Sequence, residues 1–451
     1  MKFKKLLLLV VVFLGITACT GSGDNFKYVF DGDTVDFQGS VFRIADSPNF
    51  RGSLALTPDS GMTPSNASFC LFMGYEKVQE RLNCKIEFIQ YNKDDYWRAV
   101  TVGDDYADLI NANMNTIFEM YNFGYVLPLN EIETINLDSK KYGTPQMLEA
   151  LTWKGDVVAA YPYFWGAINP NFDNGLWFNV SLFEKLRYPT PQELNERGLW
   201  TWNALDEIGT LCIDVSTPTR TYYLATLNKN FVRMMMLSNG GEYFKVTSTG
   251  RYEYGLTDGK VVDALQKTHE LYRQGLFCEY PGSDDLDAKV FTDGNAALYC
   301  GNSANGILIE RGYLSKNMEE GSFLWATMPV GPNGTGENVG LLSNTNQFIC
   351  ATIDKGRDGE GLGLFMEELF KRPVDDDWRD TFFKANIKDL ISQEIFIAQF
   401  ENPYFDKVIF ACQDDSLFES LYEAARTGSI RKTVEDIKPV LMSALEDFIY
   451  D

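Results

Sequence analysis

Alternate asparagines in Asn111-Ala112-Asn113-Met114-Asn115 follow a short apolar run, Ala107-Asp108-Leu109-Ile110, that predicts a strand. Carboxamides both donate and accept hydrogen bonds, and the loops at the carboxyl ends of strands in open α/β sheets are where ligands bind. Asn111, Asn113 and Asn115 are therefore candidates for holding a hydroxyl-rich solute; a solvated Asn-rich turn is the alternative. Asp46, after a predicted first strand at 41–45, could accept bonds from two hydroxyls or close the turn Asp46-Ser47-Pro48. Tyr161-Pro162-Tyr163-Phe164-Trp165 packs four aromatics into five residues, and flat rings suit the weakly apolar C–H faces of a sugar. Trp165 is the preferred stacking platform, with Tyr161 and Tyr163 beside it. The alternative places alternate side chains of this run in the core.

Other chemistry is poorly supplied. A single histidine, His269, leaves no material for a multi-histidine zinc site and one candidate for a Ser-His-Asp triad. Its neighbours, Asp263 to Tyr272, have helical apolar spacing, so a helix-surface role is expected. Met234-Met235-Met236 lies in a helical run and is expected to fill core gaps rather than bind a soft metal. Tyr222-Tyr223 lacks the nearby histidine or carboxylate of a ferric-ion site. Asp31 to Asp36 is acidic without the spacing of a calcium loop, and Asp375-Asp376-Asp377 is expected to be a solvated turn. No metal and no cofactor is expected.

The elements that must position these groups alternate, short apolar runs with helical stretches, over a chain of 451 residues, long enough for two or three domains. That is an α/β pattern. After the strand at 41–45, Ser68 is expected to cap a helix reaching Leu82, and Lys85-Ile86-Glu87-Phe88-Ile89 to form a second strand. Thr433 is expected to cap the last helix. The net charge is −23, or −26 without the three lysines of the leader, which excludes nucleic acid as a partner because no Lys/Arg surplus exists to replace its counterions. Residues 1–18 have a basic start, an apolar run too short for a comfortable membrane span and small residues before Cys19, as in a secretory signal peptide. Ile16-Thr17-Ala18-Cys19 resembles the bacterial lipoprotein box, which implies acylation of Cys19 and a lipid anchor on the outer face of the cell membrane. Residues after Cys19 form a polar tether. The seven other cysteines show no C-x-x-C spacing, so buried free thiols are expected.

Longer segments carry a family resemblance. Trp153-Lys154-Gly155-Asp156-Val157-Val158-Ala159-Ala160-Tyr161-Pro162, Gly175-Leu176-Trp177-Phe178-Asn179 with Leu182-Phe183-Glu184-Lys185-Leu186, Trp200-Thr201-Trp202, Phe291 to Leu298 and Met328-Pro329-Val330-Gly331-Pro332 together resemble the extracellular solute-binding proteins of ABC importers. The resemblance is to their carbohydrate-binding, maltose-binding-like branch. It implies a two-lobed periplasmic-binding-protein fold (type II) with three interlobe crossings, expected around 163–174, 300–305 and 339–344, and a ligand cleft between the lobes. The expected division is a signal peptide at 1–18, lipidated Cys19 and tether at 19–40, an N-terminal lobe of 41–162 plus 304–340, and a C-terminal lobe of 163–303 plus 341–451. By position in the family, Asn228, Asn230, Asn302, Ser303, Asn344 and Asn346 join the candidate ligand residues. Ala112, Asn115 and Ser303 stand where maltose-binding relatives carry Trp, Asp and Trp, so the sugar need not be maltose. The expected function is a monomeric, non-enzymatic receptor that closes on a mono- or oligosaccharide and hands it to a membrane permease. A surface glycosidase, or a sensing or adhesive lipoprotein with a non-sugar ligand, is the rival.

Overall fold

The computed structural model describes residues 27–32, 34–46, 67–162, 172–279, 284–303, 306, 313–337, 339–343, 347–352, 359–371, 387–405 and 416–446. Two five-stranded sheets organise the chain. The first is built from β1 (Val41–Asp46), β2 (Lys85–Gln90), β3 (Leu109–Ala112) and β4 (Val126–Leu127), with helices α1 (Ala67–Leu82), α2 (Lys93–Val102), α3 (Met114–Asn122) and α4 (Pro145–Ala150) in the same part of the chain. The second contains β5 (Gly175–Asn179), β6 (Tyr223–Leu227), β9 (Phe277–Glu279), β10 (Ala296–Gly301) and β11 (Phe323–Ala326), with a hairpin of β7 (Phe244–Val246) and β8 (Tyr252–Tyr254) beside it. Helices α5 (Lys229–Ser238), α6 (Gly259–Arg273) and α7 (Asp284–Thr292) belong to this part. The remainder is β12 (Gly340–Leu341), β13 (Phe348–Thr352), α8 (Gly359–Leu369), α9 (Leu390–Glu401), β14 (Pro403–Tyr404), α10 (Ser416–Thr427) and α11 (Ile430–Leu445).

The sheet orders are β2-β1-β3-β13-β4 and β9-β6-β10-β5-β11. β1 runs parallel to β2 and β3, while β13 is inserted antiparallel between β3 and β4. The inner strands β3, β5, β10 and β13 are buried along their whole length, as strands covered on both faces require, while the edge strand β2 alternates with exposed Lys85, Glu87 and Gln90. In β5, Leu176 and Phe178 face one core and Trp177 the other, following the twofold strand repeat.

This topology corrects the expected division of the chain. β11, at 323–326, pairs with β5 in the second sheet, although 304–340 is expected in the first lobe. β13, at 348–352, completes the first sheet, although 341–451 is expected in the second. The chain changes sheet between 162 and 175, between 341 and 348, and between α8, which packs on α1, and α10, which packs on α5 and α6. Three crossings exist, but the loop after Gly301 is not one of them: it leads back into the second sheet.

Local expectations are met with small shifts. β1 and β2 lie where the alternation puts them, and β3 begins two residues later than expected. α1 begins at Ala67, so Ser68 is inside it. The last helix starts at Ile430 behind Ser429; Thr433 is in its first turn and donates its N–H to the Ser429 carbonyl at 2.9 Å. His269 is half-buried on α6, its Nδ1 2.8 Å from the Ala425 carbonyl of α10. Met234, Met235 and Met236 are buried in the second core. Cys84, Cys212, Cys300 and Cys350 are buried and free, and Cys278 is half-buried and free. Burial pushes the thiols of Cys84, Cys212 and Cys350 up to about 12.

Candidate functional site

Three chain segments meet at the junction of the lobes. Phe172 donates its N–H to Ser303 Oγ at 2.9 Å, and Ser303 returns its N–H to the Phe172 carbonyl at 2.7 Å. Phe172 also bridges Leu342. Asn174 uses both ends of its amide on the crossing at 339–343: Nδ2 donates to the Val339 carbonyl at 2.6 Å, and Oδ1 accepts from Leu341 N at 3.0 Å. β12 then pairs with β14. Gly340 must be glycine here, because a Cβ would stand 2.4 Å from the Gln399 carbonyl and 2.6 Å from the Phe172 ring. Helix α9 closes the junction: Phe396 packs on Phe172 and Trp325, and Phe400 on Tyr161.

Strand register turns both sheets' carboxyl edges toward this junction. Ala112, the last residue of β3, faces Phe348, the first of β13 after the second crossing. In the other sheet Gly301, ending β10, faces Gly175, starting β5 after the first crossing. The candidate residues at 46, 111–115, 228–230 and 302–303 therefore lie on two edges that flank one hinge.

On the first edge Asn111 is fully buried and Asp46 nearly so, and Asn111 Nδ2 donates to Asp46 Oδ1 at 2.8 Å. A carboxylate oxygen only accepts, so this bond fixes the amide orientation and leaves Asn111 Oδ1 as a buried acceptor with no partner. Such a group costs roughly 1–3 kcal/mol until something donates to it. Asn115 Oδ1 and Gln347 Oε1, on the same edge, are buried acceptors in the same condition. The Tyr75 phenol is held well above its ordinary value by burial and by the charge of Asp46. Asn113 is the N-cap of α3, accepting from Thr116 N at 3.0 Å.

The second edge consumes its amides. Asn228 caps α5 through Phe231 N at 2.8 Å and donates Nδ2 to the Cys300 carbonyl at 2.7 Å. Asn230 Oδ1 is 3.5 Å from Arg233 Nη1, Asn302 is half-buried, and Ser303 is spent on the hinge. Tyr161 is core, edge-on to Phe348 and Phe400. Tyr163, Trp165, Asn344, Asn346 and Cys19 lie outside the described residues.

The sequence reading passed over Arg233, whose guanidinium is buried, 3.1 Å from Asp173 on the first crossing and 4.2 Å above the Phe418 ring. Tyr243 also lies against the guanidinium and, with Asp173, raises its pKa above the ordinary value despite burial, although no well-aligned bond reaches Nε–H. The signal was available: an arginine inside the apolar helix Phe231-Val232-Arg233-Met234 must be paired if buried. Among the described residues no group of three His, Cys, Asp or Glu is placed to hold a metal.

Solved structures share this architecture over most of the chain. A cyclic α-maltosyl-1,6-maltose-binding protein from Arthrobacter globiformis matches with a TM-score of 0.62 at 13% identity, covering 91% of this chain and 99% of the other. The fold is that of the two-lobed solute-binding proteins. The maltose-binding periplasmic protein of Listeria monocytogenes, solved with maltose, gives 0.59 at 13%, covering 90% and 98%. A Mycobacterium tuberculosis protein solved with glycerophosphocholine gives 0.58 at 16%, covering 85% and 96%. No protein-family model and no curated protein sequence matches the chain. These neighbours are binding proteins, and among the described residues no helix is long and apolar enough to cross a membrane.

Proposed function

We propose that this protein is the substrate receptor of an ABC importer, anchored through acylated Cys19, which captures a mono- or oligosaccharide between its lobes and delivers it to a membrane permease. The observation that carries the reading is the hinge: three crossings tied through Phe172, Asn174 and Leu342, flanked by two sheet edges that bear buried polar groups without partners. A ligand that touches both edges only when the lobes approach binds the closed arrangement more tightly and shifts the population toward it. On the first edge, Asn111, Asn115 and Gln347 offer acceptors for ligand hydroxyls, beside the Asp46 carboxylate. Asn113 and Asn228 hold the loops in place as caps. On the second edge, Arg233 Nε offers a donor. Trp165 remains the proposed stacking ring, with Tyr163, Asn230, Asn302 and Asn344 as proposed contacts.

Thermal unfolding of the purified protein against a glycan panel, with amino acids, polyamines and ferric ion as controls, tests this. A ligand at about 100 times its dissociation constant adds roughly 2.7 kcal/mol, a shift of a few degrees for a chain this large. A shift with one sugar class, the sugar being recovered intact, is the expected result. A shift with a control solute alone would keep the clamp and discard the sugar.

A further inference from the structure

The sheet of the first lobe has a second end, where β1, β2, β3 and β4 begin, opposite the carboxyl edge that bears the candidate residues. Here the described chain starts. Lys27 donates its N–H to Ser40 Oγ at 3.1 Å, and that hydroxyl donates to the Lys27 carbonyl at 3.3 Å, immediately before β1. Nine large apolar side chains are exposed among the described residues, and four of them, Val29, Phe30, Val102 and Phe123, belong to this end. Val29 and Phe30 lie in a hairpin that pairs 29–30 with 35–36, and Phe37 N ties it to the Leu82 carbonyl, ending α1, at 2.8 Å. Val102 closes α2 ahead of β3, and Phe123 follows α3 ahead of β4, its ring 5.1 Å from that of Trp97. β1 and β4 are three strand spacings apart, so the elements carrying these groups join the sheet within about 15 Å of one another.

We propose that this end of the first lobe rests on the bilayer surface, with its four exposed apolar side chains at the boundary of headgroups and acyl chains. The inference rests on the acylated Cys19 proposed above. From Cys19 to Lys27 is eight residue steps, which reach at most about 29 Å, so the anchor holds Ser40 and the strand starts close to the lipid. The carboxyl edge lies a strand length away, roughly 20 Å for the six residues of β1, and stays open to solutes. Delivery then begins with this end lifting off the lipid. Tethering raises the local concentration of membrane, so a shallow apolar contact too weak to hold a free protein is populated. Charge does not supply the attraction: exposed Lys27 and Lys85 at this end are set against exposed Asp31, Asp36 and Asp104. A zwitterionic surface therefore fits better than an anionic one, which would repel a chain of net charge −23.

The full-length protein, produced with its leader in a bacterium and reconstituted into phosphatidylcholine vesicles, tests this through a phosphatidylcholine that carries a photoactivated carbene precursor at its headgroup boundary. Peptide mass spectrometry maps the labels. Peptides containing Val29 and Phe30, Val102 and Phe123 should be labelled several-fold more than those containing Leu199 and Ile213, which are also exposed but lie in the second lobe. Phe30→Ser combined with Phe123→Ser should lower labelling at Val29 and Val102 several-fold, while flotation with the vesicles, which reads the anchor alone, is unchanged. Circular dichroism checks that the double variant keeps its fold. Labelling spread evenly over exposed apolar residues, labelling absent from this end, or labelling insensitive to the double variant would each overturn the proposal. So would labelling that falls as the protein is packed more densely on the vesicle, which would assign this end to a second copy. A floating, acylated protein labelled elsewhere removes only this contact; a protein whose intact mass shows no acyl chain and which fails to float removes the anchor as well.

Discussion

The two carboxyl edges are similar in sequence and opposite in what they do with it. Asn111-Ala112-Asn113-Met114-Asn115 and Asn228-Lys229-Asn230 are both amide-rich strand-to-helix junctions. In the second, Asn228 spends both ends of its amide inside the lobe, on the α5 cap and on the carbonyl of Cys300. In the first, one asparagine is spent as a cap, while Asn111 and Asn115 keep buried acceptors open. An asparagine on a loop thus says little about binding until its partners are counted. In the proposed function, unmet demand makes the first edge the part that grips and the second the part that holds the hinge.

The comparison breaks most visibly at Arg233. Arg233→Met should destabilise the protein by up to about 3–5 kcal/mol in denaturant unfolding, because the largely buried Asp173 is left without its cation; a loss under about 1 kcal/mol would deny the second edge its structural role. Asn228→Ala should cost about 0.5–2 kcal/mol, the range for a lost N-cap, with little change in ligand affinity once a sugar is known. Asn115→Ala should do the reverse: no loss of stability and a gain of up to about 1–3 kcal/mol, since a buried acceptor without a donor is removed, and weaker sugar binding. Equal behaviour of these two variants would erase the distinction between the edges.

A smaller effect concerns pH. Asp258 caps α6 and pairs with Lys245, and these bonds to Lys245 and to Lys260 N hold its carboxyl below the ordinary value. Its contribution is therefore present above the unfolded carboxyl pKa and lost as pH falls through the folded one. Asp258→Asn should flatten the acid limb of the stability profile slightly, measured by urea midpoints across the acid range. The smallest effect is chemical: Cys212 in the second lobe and Cys350 in the first, both buried with thiols raised to about 12, should resist alkylation at neutral pH until the protein unfolds, as mapped by mass spectrometry.

Much of the fold was legible because it is written locally. β1, β2 and the α6 helix follow from apolar periodicity, and the Met run and His269 take the roles their helices assign. The crossings were only partly legible, since the loops at 300–305 and 339–344 share glycine, serine and asparagine, and nothing local says which of them changes sheet. That is settled by β11 pairing with β5 and β13 with β3, contacts between residues more than a hundred positions apart. At the site, the spacing of Asn113 to Thr116 and of Asn228 to Phe231 already carried a capping signal. Gln347 gave none: its meaning depends on a strand that inserts beside Ala112 from the far side of the molecule.

The same insertion has a consequence for how the protein is made. β13 lies between β3 and β4, so the first sheet cannot be completed until residue 352 has left the ribosome, long after its other four strands. Sheets assembled from distant segments form slowly. The leading half of a nascent chain therefore waits for a strand from the far end of the sequence before its first sheet is whole, and if the proposed leader does carry the chain across a membrane, that delay favours passage before folding.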